Sequence, residues 1–241
     1  EIMPSLVGSE MCIRDSSMGT TFNGDGRFVV CDAHTMKRLV ARDMPFYANI
    51  DTSTGATQSS KSTLCWPQHI VVVSPEKAYI QYSTADNESH SGIRIVDLQT
   101  NIIRTSDIPG TFGVFTKTGA TKARMIFSRG KVFAGRGNSV IVLDPATDAV
   151  IKTVTYENRQ VKDLAKGYDG KIYAIFTGEF TGNSGMTGAA SFTKPAMIVA
   201  LDANGEVVSE TNLPEQIELR TGTASPTCLL YTSDAADDLI G

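Results

Sequence analysis

The sequence is poor in the residues that bind metals or build disulfide frameworks. Of 241 residues, four are Cys and three are His, with no CxxC pair and no His at zinc spacing. We therefore expect no metal site and no cofactor. No apolar run approaches the roughly 18 residues a spanning helix needs, so no transmembrane segment is expected. No basic block offers a surface that tracks phosphates, which argues against nucleic acid as a partner. Hydrolase and nucleotide signatures are missing too: there is no GxSxG elbow, no HExxH and no P-loop. What remains is an ordinary globular composition, 41% hydrophobic and 20% charged with 21 Gly, which excludes disorder, collagen and coiled coil.

The two ends read as foreign to the middle. Glu10-Met-Cys-Ile-Arg-Asp-Ser16 is what GAG-ATG-TGT-ATA-AGA-GAC-AGC encodes, and the reverse complement of its core, in another frame, encodes Cys228-Leu-Leu-Tyr-Thr-Ser233. Residues 1–17 and 228–241 thus resemble translated sequencing-adapter DNA, and Asp234-Ala-Ala-Asp237 continues the likeness. A real terminal strand and tail is the alternative. These ends carry Glu1, Glu10, Asp15, Asp234, Asp237 and Asp238 against the single base Arg14. The formal net charge of −4 becomes +1 over residues 18–227, with 20 acids against 21 bases, so charge points to no partner. Of the cysteines, Cys31 and Cys65 remain, either as a disulfide or as two small buried hydrophobes. A chain bounded by adapter is expected to be an internal piece of a longer gene.

Within the middle, a strand, an Asp, two residues and a Thr recur. The instances are Phe28-Val-Val-Cys-Asp32-Ala-His-Thr35, Ile93-Arg-Ile-Val-Asp97-Leu-Gln-Thr100, Val140-Ile-Val-Leu-Asp144-Pro-Ala-Thr147 and the variant Ile198-Val-Ala-Leu-Asp202-Ala-Asn-Gly205. An Asp closing a strand accepts N–H bonds from the turn that follows, Pro145 presets φ, and Gly205 tolerates positive φ. Asp32, Asp97, Asp144 and Asp202 are therefore expected to be turn residues rather than catalytic carboxylates. A second pattern precedes three of these: Ile70 to Ile80 aligns without gaps with Arg124 to Ala134 and with Leu164 to Ala174, bringing Lys77, Lys131 and Lys171 into one column. Four short strands per unit, A to D, is the build of a β-propeller blade.

The aligned Lys positions lie 54 and 40 residues apart and the last three Asp positions 47 and 58, bracketing the roughly 40–50 residues of a blade. The expected fold is all-β: a β-propeller fragment of about three full four-stranded blades plus a half blade. The half blade is placed at 18–42 and the blades at 66–106, 121–156 and 161–212, with a Ser, Thr and Gly-rich linker at 51–63. A closed four-bladed ring is the alternative. From Lys to turn Asp is 20, 13 and 31 residues in successive blades, so insertions fall between strands B and C.

The runs Ser128 to Ala134, Asn138 to Val154 and Tyr168 to Ala174 resemble the YncE-like propeller repeats of bacterial periplasmic and surface lipoproteins, over residues 18–212. The resemblance implies a typically seven-bladed, exported, lipid-anchored protein that binds something. Some members capture corrinoids at the cell surface for an outer-membrane transporter. Periplasmic or cell-surface localisation and such a transporter as partner are expectations from the resemblance alone, because the shared motifs are structural.

In a propeller, the B–C loops and the loops from strand D to the next strand A gather at one end of the channel, where rigid scaffolds commonly carry function. The inserts Ser83 to Ser91 and Gly178 to Lys194 are B–C loops, and they bring Asp86, Glu88 and His90, and Glu179, Phe180, Asn183 and Phe192, to that rim. A second set sits at the entrance of each A strand. There the alignment stacks Gln68 with Lys122 and Lys162, His69 with Asp163, and Ile70 with Arg124. Arg124 either grips an anion bidentately or pairs with an acid of the next blade. Trp66 either stacks on a flat ligand or packs between blades. The candidate ligand-binding residues are thus Trp66, Gln68, His69, Glu88, His90, Lys122, Arg124, Lys162, Asp163 and Phe180. The leading expectation is a non-catalytic, extracytoplasmic propeller holding a small molecule, glycan or protein at these loops. A structural or protein-interaction scaffold is the alternative, favoured if Phe180 and Phe192 plug the channel mouth. A propeller hydrolase or lactonase is third; His69 and His90 converging with a carboxylate on one point would favour it.

Overall fold

A computed structural model describes residues 27–44, 65–84, 90–111, 113–114, 124–181 and 191–214, and among these every regular element is a strand. The linker at 51–63 and residue 122 lie outside the described residues. The chain divides into two compact units, Glu1–Val114 and Phe115–Gly241.

In the first unit, β1 (Arg27–Cys31) and β2 (Arg38–Asp43) form an antiparallel hairpin. Then β3 (Cys65–Ser74), β4 (Lys77–Thr84), β5 (His90–Asp97) and β6 (Ile102–Asp107) form a meander in that order, and the short β7 (Gly113–Val114) returns to pair with the start of β5. The hairpin and the meander share a core: Phe28 and Met44 pack with Ala78, Ile80, Tyr82, Val96 and Ile103. Cys31 is partly buried with a free thiol, which leaves the small-hydrophobe reading of that residue.

In the second unit, β8 (Ile126–Ser128), β9 (Lys131–Arg136), β10 (Ser139–Asp144) and β11 (Ala149–Thr155) make one four-stranded antiparallel meander. A second begins with β12 (Val161–Lys166) and β13 (Ile172–Phe176). It is interrupted by a hairpin of β14 (Glu179–Thr181) and β15 (Ser191–Lys194), and resumes with β16 (Met197–Leu201) and β17 (Val207–Asn212). Successive four-stranded antiparallel meanders define the architecture as a β-propeller fragment. The insertion between β13 and β16, expected as a loop, is partly strand.

The sequence patterns explain the elements. β-Branched residues fill the inner strands, and β10 and β16 are buried along nearly their whole length, flanked in their own sheets and packed into the layer the two blades share. The outer strand β11 alternates exposed with half-buried residues, as one face turns to solvent. Between the two blades of the second unit, Phe133, Val140 and Val142 meet Val161, Leu164, Ile172, Ala174, Phe176, Met197, Val199 and Leu201. Burying each large member contributes about 1.5–3 kcal/mol, so this shared layer dominates the unit's stability.

The repeated Asp sits where strand C ends. Asp32 Oδ1 accepts the N–H groups of His34 and Thr35 at 3.0 and 2.8 Å, and Asp97 Oδ1 accepts those of Gln99 and Thr100, both at 2.9 Å. Asp144 accepts from the Ala146 N–H and the Thr147 hydroxyl. In all three turns the residue after Thr takes positive φ: Met36 at 55°, Asn101 at 56° and Asp148 at 56°. The fourth turn is one residue tighter. Asp202 accepts from Asn204 and Glu206, and positive φ falls on Gly205 itself, at 82°. That glycine presses on the neighbouring blade, where an added Cβ would lie 2.6 Å from Val142 Cγ2. Beside it, Lys131 donates to Asn204 at 3.1 Å and Lys152 pairs with Glu206.

Candidate functional site

Strand direction puts the B–C and D–A connections of each blade at the end opposite these Asp turns. In the first unit this end is tied together by β7: Gly113 and Val114 lie opposite Ser91 and His90, so the exit from strand D is laddered to the foot of the B–C insertion. Thr111 reinforces the tie by accepting the Ile93 N–H at 3.2 Å and donating its hydroxyl to the Ile108 carbonyl at 2.7 Å.

Beneath that ladder lies a buried polar cluster. Arg94, 1% exposed, points its guanidinium over the Tyr82 ring at 4.4 Å and donates to Asp107 at 3.4 Å. The Tyr82 hydroxyl lies on the same side of Gly92 as this carboxylate and favours its charged form. Burial raises the Asp107 pKa above the ordinary carboxylate value, against the opposing pull of Tyr82 and Arg94. Gly92 leaves room for the cluster: a Cβ there would lie 2.6 Å from Asp107 Oδ1 and 2.9 Å from Tyr82 Oη. Sequence reasoning missed this group, although one signal was present. Arg94 aligns with Ile141 and Val199, both core residues of sister blades, so a charge stands where the repeat wants an apolar side chain.

In the second unit, Arg124 is given over to Asp163. Its backbone N–H and Nε each donate to Oδ1 at 3.2 Å, and Nη2 donates to Oδ2 at 2.7 Å. The Asp163 side chain is 0% exposed, so this fork bridges two blades inside the protein. Of the two readings of Arg124, the structure carries the pairing with an acid of the next blade. Arg159, in the D–A connection, reaches the carbonyls of Thr177 and Pro195 at 2.7 and 2.8 Å, clamping the foot of the β14–β15 hairpin. Glu179 and Lys194 pair across that foot at 2.7 Å, which lowers the Glu179 pKa. Tyr156 donates to Glu210 of the next blade at 2.5 Å; burial first and this carboxylate second push its phenol upward.

The remaining sequence candidates fall as follows. Gln68 and Lys162 occupy equivalent places in β3 and β12, and each is the extra residue of a β-bulge, between Pro67 and His69 and between Val161 and Asp163 respectively. Both are partly buried, and burial lowers the Lys162 pKa. His69 lies opposite Gln81 in the register, partly buried. Trp66 stands opposite Ser83, His90 opposite Val114, and Phe180 opposite Phe192; their side chains lie outside the described residues. Glu88, Asp86, Lys122 and Asn183 lie wholly outside them. Among the described residues no group of three His, Cys, Asp or Glu gathers as metal ligands.

Blades of this build, with a polar bulge at the loop end of strand A, define a propeller-class module. Within that class, the chain belongs to the family described as Domain of unknown function (DUF5074), whose model matches residues 14–225. No curated protein matches the chain. Among solved structures it is similar to a Bacteroides caccae protein of unknown function, at 15% identity and TM-score 0.39 over 61% of this chain and 44% of that one. It is also similar to the Neurospora crassa Pan2 WD40 domain, at 12% identity and TM-score 0.40 over 78% of this chain and 60% of that one. A third is the Myceliophteria thermophila Cps50 (Swd1) β-propeller domain, at 11% identity and TM-score 0.31 over 79% and 81%. The chain thus spans about half the length of the first of these structures.

Proposed function

We propose that this chain is a non-catalytic binding module that holds a small molecule, glycan or protein at the B–C and D–A loop end of its blades. The observation that carries the reading is the inserted β14–β15 hairpin, which rises at that end and is clamped at its foot by the buried Arg159. A rigidly mounted insertion is how a scaffold presents a recognition loop. The opposite end is occupied by turn carboxylates already satisfied by their own backbone. The likeness of the repeats to YncE-like lipoproteins supports a periplasmic or cell-surface, lipid-anchored setting with an outer-membrane transporter as partner.

Thermal unfolding of the full chain against neutral oligosaccharides, carboxylic acids and sugar phosphates tests the reading. A saturable rise in Tm with one class is expected, and a ligand at 100 times its Kd adds about 2.7 kcal/mol. Turnover of ester or lactone substrates by the same preparation would overturn the non-catalytic assignment. Silence across the whole panel would overturn the small-ligand and glycan forms of it.

A further inference from the structure

Among the described residues, the partly buried lysines other than Lys162 are engaged. Lys131 donates to Asn204, Lys152 pairs with Glu206 and Lys171 with Asp169, and Lys77 is also engaged. Lys162 stands apart: it is half-buried, and no acidic group or acceptor meets its ammonium among the described residues. The nearest carboxylate in sequence, Asp163, has both oxygens taken by Arg124. Glu179, another acid of this end, is held by Lys194.

Backbone geometry adds a second, independent observation. Lys162 is the extra residue of a bulge that recurs, at the aligned position, under Gln68 in another blade. Bulges re-aim a side chain at the margin of a sheet and are over-represented beside functional sites. Here the bulge falls on strand A, the edge strand of its blade, two residues after the D–A connection. A desolvated ammonium costs free energy unless an anion answers it. Arg136, a residue of strand B at the same end, has its guanidinium pKa lowered by burial as well.

We propose that Lys162 is an anion hook, binding a carboxylate or phosphate group of the ligand through its ammonium at the β12 bulge. The inference rests on the binding role proposed above and narrows it to ligands bearing an anionic oxygen group. An ammonium suits this work as a compact point charge with three rotatable donors, tolerant of either oxyanion geometry. Asp163 and Arg124 act as its frame, fixing strand A beside the neighbouring blade.

The test uses the full chain with lysine side chains labelled with 13C at Cε, titrated separately with inorganic phosphate and with acetate. The expected result is a saturable shift of the Lys162 resonance with one of the two, at concentrations at least tenfold below those that move the exposed Lys37 and Lys166. The arm that responds tells a phosphoryl from a carboxyl ligand. Lys162→Arg should keep a saturable response, read on backbone amides of 161–164, and Lys162→Gln should lose at least tenfold in affinity while its thermal unfolding stays unchanged. A Lys162 shift no stronger than those of Lys37 and Lys166, or equal affinity in Lys162→Gln, overturns the hook. If a neutral oligosaccharide still raises Tm in that event, the binding role survives without it; if no ligand class does, both fall.

Discussion

At Asp163 a fully buried carboxylate is answered by the guanidinium of the neighbouring blade. Removing one member leaves the other uncompensated, and breaking a buried pair costs about 3–5 kcal/mol. Urea denaturation should therefore show Arg124→Met and Asp163→Leu each losing about 3 kcal/mol, with the double variant losing clearly less than their sum. Strict additivity would show that the two are not coupled. Gly92 invites a similar cycle. Gly92→Ala drives a Cβ into Asp107 and Tyr82, and overpacking of this kind costs about 1–3 kcal/mol. On an Asp107→Ala background the same substitution should cost less, since its closest obstacle is gone. Single residues were the hardest scale to read in the sequence. The pairing of Arg124 with an acid of the next blade stood among its alternatives, because the repeat alignment put both at strand A entrances. Arg94, Tyr82 and Asp107 went unseen, because their meeting depends on cross-strand register, which no spacing along the chain encodes.

Turns are the elements that the sequence describes best, since Asp, Gly and positive φ are local chemistry. They also set an acid limit. The carboxylates of Asp32, Asp97 and Asp202 titrate below the ordinary 3.8, chiefly because backbone N–H groups donate to their charged form. Asp169 is drawn down to about 2, first by the Lys171 ammonium and then by the Lys171 N–H and the Tyr173 hydroxyl. For each, the folded protein binds its proton less readily than the unfolded chain. Their contribution is present above the unfolded value of 3.8 and is lost as pH falls towards 2. Asp107, shifted upward, opposes this with the reverse slope. Thermal unfolding followed from pH 5 to 2 should show a falling Tm, and Asp169→Asn should flatten that fall; an equally steep profile would place the acid limit elsewhere. The hairpin β14–β15 was not legible beforehand, because runs of three and four residues are too short to show a two-residue period. The bulges under Gln68 and Lys162 left only a polar residue as their trace.

Among the described residues, each sheet ends on a strand that is paired along one side only. Leu39, Ile102, Ile151 and Val208 stand on those outer strands, 48–60% exposed, beside charged neighbours such as Arg38, Arg104, Lys152 and Glu210. Charge along an edge discourages pairing with another chain. Val208→Lys on β17 should accordingly lower self-association in light scattering at high protein concentration without changing Tm, and an unchanged signal would clear that edge of blame. The blade pattern itself was legible from repetition, because each blade solves the same packing problem with the same residues. Repetition also conceals something. The fourth turn departs from its sisters by placing Gly205 where they carry Thr35, Thr100 and Thr147, and that tip leans on Val142 of the blade before it. A consensus blade, designed by averaging the repeats, would vote Thr into that place and push a branched side chain into the joint between modules. Drift within a repeat is therefore a record of where neighbours touch, and a builder of longer arrays from this chain should copy pairs of blades rather than single ones.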